Sequence, residues 1–186
     1  CMLLLVFLIT AYSLGTELKQ QTAKQLMEMS ADNPFVAITG KMLPQTLVWL
    51  LVIGFYLYYV FGVLAFPHPG GWHILLLLGM LAVLAAQGFG IFMFGLFPSL
   101  RMSMSLLSFS MVGTAFPTLA MDPELQVLAN LFPMRHVFLV YEIAAFGGYP
   151  LMDVATNIIA LVLFASAPLL VMLRIGKALK EYVYMP

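Results

Sequence analysis

Charge is what this sequence has least of. Only 9% of its 186 residues are Asp, Glu, Lys or Arg, while 63% are hydrophobic. Soluble domains carry roughly 25% charged residues. So few charges cannot cover a water-facing surface, which excludes the soluble globular class. What charge there is cancels, with eight Lys/Arg against eight Asp/Glu. Without a basic stripe or excess, nucleic acid is excluded as a partner. Cysteine is nearly absent as well. The single Cys1 forbids an internal disulfide and a cysteine metal cluster, and it has no neighbouring base. Catalytic signatures are missing: no G-x-x-x-x-G-K-[ST] with which to hydrolyse ATP, no G-x-S-x-G and no H-E-x-x-H. His68, His73 and His136 lack the close spacing and further ligands of a zinc site. They read as interfacial histidines, and no metal is expected.

Against this background the longest polar interval, residues 15 to 44, stands out. It holds Lys19, Lys24 and Lys41 and the acids Glu17, Glu28 and Asp32, between apolar runs. Residues 2 to 14 make half to two-thirds of a membrane span, since a full one needs about 20 residues. They follow Cys1 rather than Met, with no basic leader and no cleavage site. The expectation is a piece that begins inside a membrane helix, closed by Gly15 and Thr16. In residues 17 to 30, Leu18, Thr22, Leu26 and Met29 fall on one helical face. Asp32-Asn33-Pro34 reads as a stop and restart, with an Asx cap and Pro in the first turn. A second short helix follows, presenting Phe35, Ile38 and Met42 and ending at Gly40-Lys41.

Residues 43 to 66, about 72 to 97, 102 to 121 and 154 to 173 read as full spans. The first carries a Tyr/Phe cluster at 55 to 61 that lines either a hydrophobic path or a dimer interface. In the second, Ala82, Ala86 and Gly90 repeat small-xxx-small, which permits close helix contact. The third is rich in Ser, which more often bonds its own helix or joins helices than meets a substrate. Residues 122 to 152 are too polar for a clean span. Polar backbone at membrane depth must be shielded, so a pair of short re-entrant helices is expected there. Arg174, Lys177 and Lys180 form a basic tail. If residues 16 to 43 are cytoplasmic, seven of the eight Lys/Arg, all but Arg135, lie inside, as the positive-inside rule requires. The expected fold is an all-α polytopic membrane protein. It has about five transmembrane helices, a cytoplasmic hairpin and an extracytoplasmic re-entrant pair, with the C-terminus cytoplasmic.

Three segments carry a family likeness. Glu17 to Met27 (ELKQQTAKQLM) resembles an acidic segment that usually reads E-x-x-x-G-T before a Leu-rich helix, with Gln21 here in the usual place of Gly. Gly40-Lys41-Met42-Leu43-Pro44 resembles a GK step into the next span. Leu131-Phe132-Pro133-Met134, with Gly147-Gly148 further on, resembles a re-entrant L-F-P element. In this order they make residues 1 to 186 similar to the C-terminal part of an ABC-2 type permease, the transmembrane subunit of an ABC exporter. The resemblance implies a first span and often an external domain upstream. It also implies a second permease subunit, identical or not, and a cytoplasmic ATPase that carries ATP and Mg while this chain binds no cofactor. Export of a drug, lipid or lipid-linked glycan across a bacterial inner membrane is the implied activity.

On that reading Leu26, Met29, Phe35 and Ile38 form the ATPase-coupling surface; the plainer alternative is an amphipathic helix lying on lipid. Arg135 and Glu142, seven residues apart, are candidates for an extracytoplasmic gate, or are two snorkelling charges. An ion-coupled carrier is the alternative function. It would want an ionisable residue deep in a span, and the middles of the full spans lack Asp, Glu, Lys, Arg and His.

Overall fold

The computed structural model describes residues 2–97, 99, 101, 102, 104, 105 and 123–181. The described residues are helical throughout, without a strand. Helix α1 (Met2–Lys19) runs into a tight turn and α2 (Ala23–Met29). Helix α3 (Pro34–Leu57) continues as a π-helical turn, Tyr58–Val63. Next come α4 (Gly71–Leu96), the short α5 (Pro123–Ala129) and α6 (Pro133–Val140) with its π-helical extension Tyr141–Phe146. A 3-10 turn, Leu151–Val154, leads into α7 (Ala155–Ser166) and α8 (Pro168–Glu181). Three stretches are long and apolar enough to cross a membrane: Pro34–Val63, Gly71–Leu96 and Leu151–Glu181. The expected Ser-rich span at 102 to 121 lies almost wholly outside the described residues.

Helix α4 is the hub, packing against α1, α3, α6, α7 and α8. Lipid tails are as apolar as Leu, so burial from lipid drives little; close backbone approach does the joining. Small residues therefore face the neighbours. Ala82 and Ala86 are buried, and a Cβ on Gly90 would stand 3.2 Å from Phe7 O on α1. The tightest crossing lies on another face. A Cβ on Gly88 would lie 2.3 Å from Phe164 O and 2.8 Å from Ala165 Cα of α7. That is backbone against backbone, and no side chain fits between.

Two apolar clusters mark the ends of the bundle. One joins Leu14, Leu18, Met27, Ile38, Met42, Phe94, Ile175 and Leu179. The other joins Leu57, Phe61, Leu75, Leu78, Val137, Val140 and Ala144. Lys19, Lys24, Lys41, Arg174, Lys177 and Lys180 belong to the elements of the first, the basic end. Helix α6 belongs to the other through Val137 and Val140, pinned by Tyr141 Oη, which donates to Leu75 O at 3.1 Å, and by His136. The His136 ring meets Asn157 Oδ1 and Asn130 O, each at 2.9 Å.

Three boundaries differ from the sequence reading. Gly15 and Thr16 do not close the first helix, which runs on to Lys19 because Leu18 follows Leu14 by four residues into the same cluster. The second arm of the hairpin is not a separate helix: α3 passes unbroken through Gly40 and Pro44. Pro44 removes one intrahelical hydrogen bond, but buried Ala37, Ile38 and Met42 hold the preceding turns in line. The last helix does not end at residue 173. Helix α8 runs on to Glu181 and buries Val171, Ile175, Ala178 and Leu179.

The α4–α7 crossing sets the first expectation. Gly88→Val costs at least the about 1–3 kcal/mol of ordinary overpacking, because two backbones must separate, and it lowers the melting temperature of detergent-purified protein. Gly54→Ala, where a Cβ meets nothing within 4 Å, is neutral or stabilising by up to about 1 kcal/mol through helix propensity. Equal melting of Gly88→Val and the parent would contradict the crossing.

Candidate functional site: the clasped elbow at the basic end

The elbow is built by two chain reversals. After α1, Gln21 takes a left-handed backbone, φ 59°, and Thr22 N donates back to Glu17 O at 3.0 Å. This is the geometry that glycine adopts most readily, and Gln21 stands in it here. After α2, Ala31 and Asp32 are left-handed too, with φ of 52° and 62°. Asp32 N donates to Met27 O at 2.9 Å. Asn33 then caps α3, its Oδ1 accepting from Phe35 N at 3.0 Å, and Pro34 occupies the first turn.

A polar clasp locks the first reversal. The Glu17 carboxylate accepts from the Lys41 ammonium on one oxygen and from the Thr22 hydroxyl on the other. Both charged side chains are mostly buried, at 18% and 19% exposure. Burial alone would push Glu17 up, but the hydrogen bonds from Lys41 and Thr22 and the Lys41 charge outweigh it and hold its pKa below the ordinary 4.5. The two sequence segments that carry the family likeness, at 17 to 22 and at 40 to 41, thus meet as one structural unit. A looser tie, Lys180 Nζ to Asp32 Oδ1 at 3.6 Å, brings the end of α8 to the second reversal.

The four residues expected to form a coupling surface do not share one environment. Met29 is 87% and Phe35 50% exposed, on either side of the α2–α3 reversal, and Val36 beside them is exposed as well. Leu26 is partly buried against the basic-end cluster. Ile38, 3% exposed, is a member of that cluster. Helix α2 likewise turns Ala23 and Met27 inward. The exposed apolar tip is therefore Met29, Phe35 and Val36, and Ile38 supports it from beneath.

At the opposite end, Arg135 lies on α6 and its Nη2 reaches Gln126 Oε1 at 3.5 Å. Glu142 is exposed on the π-helical extension. Among the described residues no ion pair joins them. A second polar thread, absent from the sequence reading, crosses the bundle nearer the basic end. Gln45 Nε2 donates to Thr10 Oγ1 at 3.1 Å, and the Thr46 hydroxyl sits 2.7 Å from Gln87 Oε1. The only sequence signal for it was two neutral polar pairs inside apolar runs, which periodicity does not separate from ordinary helix-to-helix bonds.

Glu17→Gln and Lys41→Met each lower the melting temperature, and the double variant costs less than the sum of the two, as expected of a coupled pair. Because the Glu17 pKa is depressed on folding, the clasp's contribution is fully present above pH 4.5 and is lost as pH falls through the folded value. The stability gap between parent and Lys41→Met narrows in that acid range. Gln21→Gly, which relieves the left-handed backbone, stabilises by about 1 kcal/mol in the same melting assay.

A family model described as ABC-2 family transporter protein matches residues 1–174. No curated protein and no solved structure matches the chain. The match covers the clasp, the exposed tip, the hub helix and the short helices α5 and α6, and on that ground the chain belongs to the ABC-2 transporter family as an integral membrane permease.

Proposed function

We propose that the chain is the transmembrane subunit of an ATP-driven exporter, and that the elbow between α1 and α3 docks its ATPase. ABC-2 permeases generally work with a cytoplasmic ABC ATPase. The observation that carries the docking reading is the exposed tip of Met29, Phe35 and Val36 at the second reversal, which is tied only by Lys180 to Asp32. ATP and Mg would bind to the partner. A second permease subunit, identical or not, would complete the pathway, and the basic end would lie in the cytoplasm of a bacterial inner membrane. The cargo would be hydrophobic or amphipathic: a drug, a lipid or a lipid-linked glycan.

The underside of the elbow supports a way for motion to enter the bilayer. Met27 and Ala23 of α2 share one packed cluster with α1, α3, α4 and α8. Force on α2 would reach these spans through contacts already made, because packed interiors transmit displacement. Nucleotide binding on the partner would bias the permease between two states by differential affinity. A gate at Arg135 and Glu142 would need the pair to meet in another state of the cycle. An ion-coupled carrier has less support, since the middles of the full spans carry no ionisable residue.

Co-purification tests the docking. Full-length protein is tagged and solubilised gently, and the associated P-loop ATPase is measured beside transport. Phe35→Asp and Met29→Asp lose the ATPase and cut transport at least tenfold, while their melting temperatures stay near the parent's because both sites are exposed. Ile38→Asp is no substitute, since it buries a charge in the core. Undiminished ATPase binding and transport in both exposed variants would refute the docking surface.

A further inference from the structure

A cavity of about 480 Å³ lies between α3, α4 and the α7–α8 junction, within the about 300–1,000 Å³ range of small-molecule sites. Its walls are almost wholly apolar, with Met42, Ile91 and Met172 among them. Leu43, Leu47 and Leu169 both line it and stand exposed, so it opens on the membrane-facing flank of the bundle. One side chain does not fit an apolar slot. Gln87 is 4% exposed and lines the cavity, and its Nε2 has no hydrogen-bond partner among the described residues. Leaving a buried amide donor unmet costs about 1–3 kcal/mol.

The environment of Gln87 defines the missing partner. Thr46 has one hydroxyl hydrogen and two acceptors in reach, Gln87 Oε1 at 2.7 Å and Met42 O at 2.8 Å. It serves at most the oxygen end of the amide. In the assigned amide orientation the oxygen end meets Thr46 and the nitrogen end faces the cavity, so the missing partner is an acceptor. No charged side chain lines the cavity, so nothing there would pair with a charged group. Depth supplies the rest. Gln87 is level with Thr46, five residues along α3 from Lys41, or roughly 7–8 Å at the helical rise. The polar layer on each side of the hydrocarbon is itself roughly 5–8 Å thick. Placing the clasped Lys41 in that layer would bring Gln87 near the hydrocarbon boundary. The polar groups abundant there are acyl ester carbonyls, which only accept.

We infer that this cavity is a seat for one membrane glycerolipid of the basic-end leaflet, its acyl chain in the slot and an ester carbonyl accepting from Gln87 Nε2. The seat lies beside Pro168, where α7 hands over to α8. Its occupant therefore braces the joint between the half of the last span held to α4 and the half held to the elbow. The inference needs no ATPase and stands apart from the docking reading.

The test is native mass spectrometry and thermal melting of the full-length protein after detergent exchange. A synthetic diester phosphatidylglycerol is titrated against its diether analogue, which keeps the chains and headgroup but lacks the carbonyls. The parent retains one diester lipid per chain, and prefers diester to diether by roughly two- to tenfold, the worth of one hydrogen bond. Gln87→Leu, of similar size and apolar, stays folded, binds both lipids equally and loses the lipid-dependent rise in melting temperature. Ser166→Phe fills the slot without touching Gln87 and abolishes the retained lipid. Three results would overturn the inference: the same diester preference in Gln87→Leu as in the parent, an unchanged lipid count in Ser166→Phe, or no lipid retained by the parent, which would leave Gln87 to water.

Discussion

The molecule depends on one place where two backbones touch. At Gly88 the main chain of α4 lies against Phe164 and Ala165 of α7 with no side chain between. In a bilayer this kind of contact carries unusual weight. Apolar side chains gain little by leaving lipid for protein, so association rests on dispersion between closely fitted surfaces. Once α4 and α7 are joined, the other faces of α4 receive α1 across Gly90 and α8 across Gly95, where a Cβ would meet Val171 at 2.6 Å. The hub is thus a helix made thin on several sides, with each thinning matched to a neighbour.

The elbow at the basic end works by a different logic. Its surface is polar and exposed, and exposed ion pairs contribute little. The Glu17–Thr22–Lys41 clasp escapes this by being mostly buried and by engaging both carboxylate oxygens. The Asp32–Lys180 tie does not escape it, being about half exposed or more on each side chain. One reversal is therefore held firmly and the other loosely, and the exposed tip of Met29 and Phe35 belongs to the loose one.

Much of this was legible in the sequence because the signals were local. Asn33-Pro34 marks a helix start in any context, and its cap forms as written. The spans read at 43 to 66 and about 72 to 97 follow from high hydropathy and fall on the helices Pro34–Val63 and Gly71–Leu96, though the first helix begins nine residues earlier than the span read from it. The scattered polar and Pro residues after 122 foretold short helices, and α5 and α6 are short. What escaped depended on distant partners. Periodicity placed Ile38 on the apolar face with Phe35, but only the return of α8, with Ile175 and Leu179, decides that Ile38 is covered and Phe35 is not. Nothing near Glu17 names Lys41, twenty-four residues on, as its mate. Gln87 looked like one neutral residue in a greasy run, and its meaning came from the cavity beside it.

Helix α2 has only seven residues, far below the length at which a helix holds itself together in water. On either side of it the chain sits in a backbone basin that side-chain-bearing residues avoid, at Gln21 before it and at Ala31 and Asp32 after it. Its docked pose is held by two inward residues, Ala23 and Met27, and by its neighbours' clasp. In terms of local opening, where each segment detaches at its own free-energy cost, α2 is far less expensive to lift than α4. Amide hydrogens there should exchange well before those of α4. The permease has placed a soft piece of secondary structure at the surface where a soluble partner would push, and its hardest contact, at Gly88, deep in the bundle.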